Sequence, residues 1–295
     1  MKFSKMHGLG NDYVYVNCFD EPLEGVDLPE LARRVSDRHF GIGGDGLILI
    51  MPSQRADFRM RVFNSDGSEA KSCGNGLRCV SKYVYDHGLT KRTRFSVETL
   101  GGVVYPEVTI GADGKVELVT IDMGEPKLDP AQIPLQLSGL SGRGEQPVID
   151  QPLEVAGRTF QLTAVSMGNP HAVLVVDEVR DADVQRYGPL IEFHEWFPER
   201  TNVEFIQVLN RREILFRVWE RGSGITLACG TGACAAAVAA VLNGKTDRRV
   251  TVHLAGGDLL IEWREEDNHV YMTGPAVEVY RGQYLGELPR LAQAQ

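Results

Sequence analysis

Short runs of β-branched and aromatic residues recur along the chain, several with partial two-residue alternation. They predict strands at YVYVN (Tyr13–Asn17), GLILI (Gly46–Ile50), DFRMRVF (Asp57–Phe63) and EILFRVW (Glu213–Trp219). Two stretches break this rhythm. GTGACAAAVAAVLNG (Gly230–Gly244) is apolar all round and built of small residues, which predicts a helix enclosed by a barrel or sandwich. GNGLRCVSKYVYDHG (Gly74–Gly88) is more amphipathic, and both stretches end on a glycine, as left-handed helix caps do. ELARRVSDRH (Glu30–His39) reads as a solvated helix face. The strands cluster with hairpin-like gaps instead of alternating with crossover helices, which favours α+β over a doubly wound sheet.

The pattern is written twice. Cys73 falls on Cys229 at an offset of 156 residues, and at that offset Arg61-Val62-Phe63-Asn64 falls on Arg217-Val218-Trp219-Glu220. Gly74, Gly76 and Gly88 fall on Gly230, Gly232 and Gly244. With small insertions, GNDYVYVN (from Gly10) matches GNPHAVLVVD (from Gly168), placing Asn11 over Asn169. Each half repeats one order: Gly-Asn and a β-branched run, a short helical segment, strands, Cys-Gly-X-Gly and a helix, further strands. This predicts two pseudo-symmetric domains, each a largely antiparallel curved sheet or barrel around a central helix, with the active site in the cleft between them. The boundaries follow: residues 1–124 with about 275–295 carry Cys73, and 125–274 carry Cys229. Leu137–Pro147 reads as a mobile surface loop, and the last ten residues, from Gly286, are expected to fray.

Length and composition agree with two soluble globular domains: 295 residues, 43% hydrophobic and 24% charged. A formal net charge of −9 gives no encouragement to nucleic-acid or anionic-membrane binding. The opening MKFSKMHGLGND holds no apolar signal core and no run approaches a membrane span, so a cytoplasmic protein is expected. The five cysteines are odd in number, and neither Cys73–Cys79 nor Cys229–Cys234 has CxxC spacing, so neither a disulfide framework nor a metal site is expected.

Chemistry concentrates at the paired Cys-Gly-X-Gly motifs. A cysteine just before a helix meets unsatisfied N–H groups and the positive end of the helix dipole, which favour thiolate. The glycines let a substrate approach the backbone, whose N–H groups can hold a carboxylate. Two such thiols facing one ligand suit racemisation or epimerisation: one thiolate removes an α-proton, and the other thiol delivers a proton to the opposite face. The helix N-termini would then stabilise the charge developing on the carboxylate. His171, in MGNPH, and Glu220, before the second motif, are candidates to tune the thiols. Cys79, Cys234, Trp196, Trp219 and Trp263 read as packing residues, and Cys18 carries no assigned role. A cysteine hydrolase using His171 leaves the second motif unexplained, and an amino-acid binding protein needs no reactive thiols.

The segments KMHGLGNDYVYV, FNSDGSEAKSCGNGLRC, VSMGNPHAVLV, PERTNVEF and ERGSGITLACGTGACAAAVAA closely resemble those of the diaminopimelate epimerase family, in the family's order. The resemblance runs from residue 1 to about residue 280. It implies a cofactor-independent enzyme interconverting LL- and meso-2,6-diaminopimelate on the lysine and peptidoglycan route. Proline racemases share the fold, and a cofactor-free racemase of that kind is the alternative. Carried over residue by residue, Cys73 and Cys229 become the acid/base thiols and His171 and Glu220 their modulators. Substrate binding falls to Asn11, Asn64, Gly74, Asn75, Asn169, Asn202, Glu220, Arg221, Gly230 and Thr231. Tyr280 matches a tyrosine linked to dimer formation, implying a homodimer. At Gly46 this chain departs from members that carry glutamine there.

Overall fold

The computed structural model describes residues 1–71, 73–136 and 146–291. Most of the expected loop at Leu137–Pro147 and the last four residues lie outside that set. The chain divides into two compact units, Met1–Ile121 with Gly274–Gln295, and Asp122–Thr273.

The first unit opens with the antiparallel pair β1 (Lys2–Gly8) and β2 (Asn11–Asn17). Helix α1 (Leu28–Ser36) then leads to β3 (Gly46–Met51), which lies parallel to β2. β4 (Phe58–Asn64) pairs antiparallel with β3 and carries the short β5 (Glu69–Ala70). Helix α2 (Gly74–Asp86) crosses to β6 (Val97–Thr99), parallel to β4, and β7 (Gly102–Val104) follows antiparallel. β8 (Glu107–Ile110) and β9 (Val116–Asp122) form a hairpin.

In the second unit, β10 (Gln151–Val155), β11 (Arg158–Ser166) and β12 (Pro170–Val175) run antiparallel in series. Helix α3 (Asp181–Glu192) crosses to β13 (Asn202–Asn210), parallel to β12. β14 (Glu213–Glu220) pairs antiparallel with β13 and carries β15 (Gly224–Ile225). Helix α4 (Gly230–Leu242) crosses to β16 (Arg249–Leu254), parallel to β14, and β17 (Gly257–Trp263) and β18 (Val270–Gly274) complete the run. The chain then returns to the first unit as β19 (Val277–Gln283), antiparallel to β1 at that sheet's edge.

The order β19-β1-β2-β3-β4-β6-β7 in one sheet is matched in kind by the run β10-β11-β12-β13-β14-β16-β17 within the other. The duplication read from the sequence is therefore a duplication of topology. One expectation needs correction. Each unit contains two strand–helix–strand crossovers, and each joins neighbouring parallel strands. The strands between them are antiparallel, so the class remains α+β.

The two central helices differ as their sequences predict. In α4 every residue from Gly232 to Ala240 is buried, and strands β11 to β14, β16 and β17 surround it. In α2, buried Leu77, Cys79, Val80 and Val84 face β1, β4, β8 and β19 while the opposite side is partly open. Gly88 and Gly244 follow the two helices with φ of 74° and 67°, the left-handed caps that a residue with a Cβ adopts at a cost. Helix α1 is capped by Asp27, whose carboxylate accepts from Glu30 N at 3.1 Å. It is not wholly solvated: Leu31, Ala32 and Val35 are buried in a core with Val14, Val16, Leu47 and Leu49. Its charged face is Glu30, Arg33 and Arg34. Cys79 and Cys234 are fully buried, as expected of packing residues. Among the described residues no helix is long and apolar enough to cross a membrane.

Candidate active site

Each unit builds its own half-site at the start of its central helix. In the first, Cys73 is the N-cap of α2, and its Sγ accepts from Gly76 N at 3.3 Å. Its thiol faces Asn11 Oδ1 at 3.8 Å, and Asn75 Nδ2 donates to the same oxygen at 3.2 Å. The Asn11 amide is held by Asp45, which accepts from Nδ2 at 2.8 Å. Asp45 in turn accepts from Asp12 N at 3.0 Å and from Arg38 at 3.0 Å. Asp12 also pairs with Lys5 at 2.6 Å and with Arg38 at 2.7 Å. Burial pushes the Asp12 carboxyl up, but the Arg38 and Lys5 cations outweigh it and hold the group below the usual carboxylate range. Beneath the helix start, fully buried Arg78 donates to Asn75 Oδ1 at 2.9 Å and to Pro275 O at 3.1 Å. Asn64 ends β4 and donates to Ser68 Oγ at 3.0 Å.

In the second unit, Cys229 is the N-cap of α4, and its Sγ lies 3.7 Å from Thr231 Oγ1. Asn169 Nδ2 donates to Thr231 Oγ1 at 3.3 Å, and Asn169 Oδ1 lies 3.0 Å from His171 Nε2. His171 Nδ1 is 2.6 Å from Glu204 Oε1, and both side chains are wholly buried. Glu220 accepts from the Thr226 hydroxyl, and its carboxylate acts electrostatically on the Cys229 thiol. Asn202 donates to Pro170 O at 2.9 Å, and its Oδ1 accepts from Arg221 N at 3.0 Å. Arg221 is exposed and donates to Glu199 O at 3.1 Å.

The structure thus gathers Asn11, Gly74 and Asn75 around Cys73, and Asn169, His171, Glu220, Gly230 and Thr231 around Cys229. Asn202 and Arg221 bond each other beside Glu220. Asn64 bonds Ser68 in the turn after β4 rather than any group hydrogen-bonded to Cys73. Tyr280 lies on β19, 45% exposed and edge-on to Phe3.

The thiols do not titrate as the helix starts alone predict. Burial pushes Cys73 up, and the Gly76 N–H and the Arg78 cation offset only part of that. Burial pushes Cys229 well above the ordinary thiol range, and the carboxylates of Glu220 and Glu204 add to it. Desolvating a thiolate outweighs the dipole here. Glu220 is itself raised by burial, against the Thr226 hydrogen bond. Gly46 also has a structural reason. A Cβ there would lie 2.1 Å from Phe63 O and 2.7 Å from the Tyr13 ring, so glutamine does not fit this backbone.

Sequence reasoning missed Asp45 and Glu204. Glu204 carried a signal, an acidic residue inside the apolar run Val203–Ile206, which needs a buried partner. Among the described residues no group of three His, Cys, Asp or Glu side chains could hold a metal ion.

Solved structures share this fold across nearly the whole chain. A phenazine biosynthesis protein of the PhzF family from Bacillus anthracis aligns with a TM-score of 0.67 at 18% identity, covering 97% of this chain and 99% of its own. A probable proline racemase from Agrobacterium radiobacter aligns at 0.66 and 16% identity, covering 97% and 93%. These define the fold class. The family follows from sequence: the family model described as diaminopimelate epimerase matches residues 3–128 and 163–279. Proteins named diaminopimelate epimerase from Acetivibrio thermocellus and Moorella thermoacetica are 57% and 58% identical, covering 98% and 96% of this chain and 100% and 99% of their own. The chain belongs to the diaminopimelate epimerase family.

Proposed function

We propose that the protein is a two-base epimerase interconverting LL- and meso-2,6-diaminopimelate without a cofactor, supplying lysine and peptidoglycan precursors. The carrying observation is the twin half-site: a thiol at the N-cap of each unit's central helix, linked to an asparagine amide directly at Cys73 and through Thr231 at Cys229.

Cys73 and Cys229 act on opposite faces of one α-carbon. One sulfur, as thiolate, takes the α-proton; the other, as thiol, gives its proton to the opposite face, and the roles exchange in the reverse direction. The electron pair left on carbon moves into the carboxylate. The N–H groups at the helix starts, Gly74-Asn75 and Gly230-Thr231, receive that charge, and each well-placed donor contributes about 3–4 kcal/mol. Burial favours the neutral form of both sulfurs, as the proton-giving role requires. Glu220, which acts electrostatically on the Cys229 thiol and is itself raised by burial, takes up the proton that leaves Cys229 when that sulfur acts as base. Asn11, Asn64, Asn169, Asn202, Glu220 and Arg221 bind the substrate's ammonium and carboxylate groups, with the exposed Arg221 guanidinium suited to a carboxylate.

A homodimer through β19 belongs to the same reading. That edge strand presents exposed Val277, Val279 and Tyr280, an apolar row that solvent does not favour. A cytoplasmic setting suits five cysteines of which none is in a disulfide.

Incubation with diaminopimelate in D₂O tests the reaction. Deuterium enters at an α-carbon as LL and meso forms interconvert, with no added cofactor. Exchange with proline but not with diaminopimelate would favour the proline-racemase alternative.

A further inference from the structure

Glu204 lies on β13 with no role given to it by the chemistry above. It is wholly buried, its Oε1 is held by His171 Nδ1 at 2.6 Å, and its Oε2 is buried with no hydrogen-bond partner among the described residues. A carboxyl group is poorly placed in a strand interior unless its hydrogen bond is needed there.

The neighbouring contacts show what it does. His171 Nε2 lies 3.0 Å from Asn169 Oδ1, a carbonyl oxygen that can only accept, so Nε2 carries a proton. A second proton is shared between Nδ1 and Glu204 Oε1. Whether the pair is neutral acid and imidazole or carboxylate and imidazolium, Nε2–H still donates. Asn169 therefore turns its Nδ2 to Thr231 Oγ1 at 3.3 Å, and Thr231 meets the Cys229 sulfur at 3.7 Å. The equivalent amide in the first unit is turned the other way. Asp45 takes Asn11 Nδ2, leaving Oδ1 toward Cys73. Two acidic residues thus set opposite amide polarities beside the two thiols.

We propose that Glu204 is a positioning residue for the Cys229 half-site: by holding His171 Nδ1 it keeps the proton on Nε2, which fixes the Asn169 amide and, through it, the Thr231 hydroxyl at the sulfur. This rests on the two-thiol reading above. The titratable groups that act on Glu204, or share its surroundings, are His171 from β12, Glu220 from β14 and Cys229 from the start of α4.

The test compares the full-length wild type with Glu204→Leu and Glu204→Gln. Imidazole ¹⁵N spectra report the protonation of His171, D₂O exchange of diaminopimelate reports turnover, and peptide-resolved iodoacetamide labelling reports each thiol. In the wild type, the His171 Nε2 signal is that of a protonated ring nitrogen, bonded to the Asn169 oxygen. In Glu204→Leu that tautomer is no longer enforced, kcat falls by about ten- to a hundredfold, and labelling changes at Cys229 but not at Cys73. Glu204→Gln recovers most of the loss, because its amide N–H donates to Nδ1. A wild-type His171 with an unprotonated Nε2 overturns the proposal, as does a Glu204→Leu protein with wild-type kcat. If Glu204→Leu fails to fold, the wild-type and Glu204→Gln spectra decide alone. A wild type that exchanges no α-proton sinks the two-thiol reading instead, while the His171 spectra still judge Glu204.

Discussion

Gly232→Ala places a single methyl group at the second thiol. Its Cβ would lie 2.9 Å from Glu204 Oε1, 3.1 Å from Cys229 Sγ and 3.2 Å from Phe216 Cζ. Carbon ordinarily keeps about 3.5–4.0 Å from such neighbours. Glu204 is tied to His171 and Phe216 is fully buried, so the Cys229 thiol is the group that moves. Two effects oppose each other in stability. Alanine is better than glycine in a helix by about 1 kcal/mol, and overpacking a filled site costs about 1–3 kcal/mol. The balance runs from neutral to about 2 kcal/mol destabilising, a fall in Tm of up to roughly 8 °C. Turnover is hit harder: displacing a reacting atom by a fraction of an ångström costs up to about a hundredfold. Gly76→Ala is the control. There the tightest contact is Ile48 Cδ1 at 2.6 Å, a terminal methyl that can turn about its own side-chain bond, and Cys73 Sγ is farther off at 3.4 Å. Thermal melts, D₂O exchange rates and thiol-resolved labelling should show the larger functional loss in Gly232→Ala. Equal or greater loss in Gly76→Ala would refute this account of the packing at Cys229.

Other consequences follow from the same geometry. Replacing either Cys73 or Cys229 by alanine should lower epimerisation by at least about 10²–10⁴-fold, measured by optical rotation; one fully active single variant would remove the two-thiol scheme. Asp45→Ala frees the Asn11 amide and should slow turnover by about tenfold while changing labelling at Cys73 and not at Cys229; the opposite selectivity would be inconsistent with the half-sites described. Buried thiols also make the fold sensitive to alkali. Burial raises Cys79 from 9.0 to about 12 and Cys18 from 9.0 to about 11. A folded pKa above the unfolded one gives stability that is complete below about pH 9 and is lost as pH climbs toward 11–12. Each such thiol contributes a slope of up to about 1.4 kcal/mol per pH unit in that window. Urea unfolding at pH 8 and pH 10 checks this, and equal stability at both would count against it.

Much of the fold was legible because its signals are local. The β-branched runs became β2, β3, β4 and β14, and the small-residue stretch became the enclosed helix α4. The internal repeat predicted the shared topology. The parallel crossovers were not legible, since nothing in the residues of β2 or β12 says which neighbour lies alongside. Helix α3 hides its type further, with no side-chain cap and Pro189 within it. At the site, the thiols' positions could be read but their proton affinities could not. Those depend on how completely distant strands enclose each sulfur, and in Cys229 also on Glu220 and Glu204. Asp45 and Glu204 escaped notice for a related reason: each acts on an asparagine amide, Asp45 directly and Glu204 through His171, and only three-dimensional contact reveals it.

The central claim is that Cys73 and Cys229 serve one carbon, and a crystal structure with bound diaminopimelate measures it directly. Both sulfurs should sit about 3–3.5 Å from the same α-carbon, on opposite faces, with that carbon's carboxylate at the starts of α2 and α4. A complex in which one sulfur is near the α-carbon and the other lies well beyond reach of it would contradict the account.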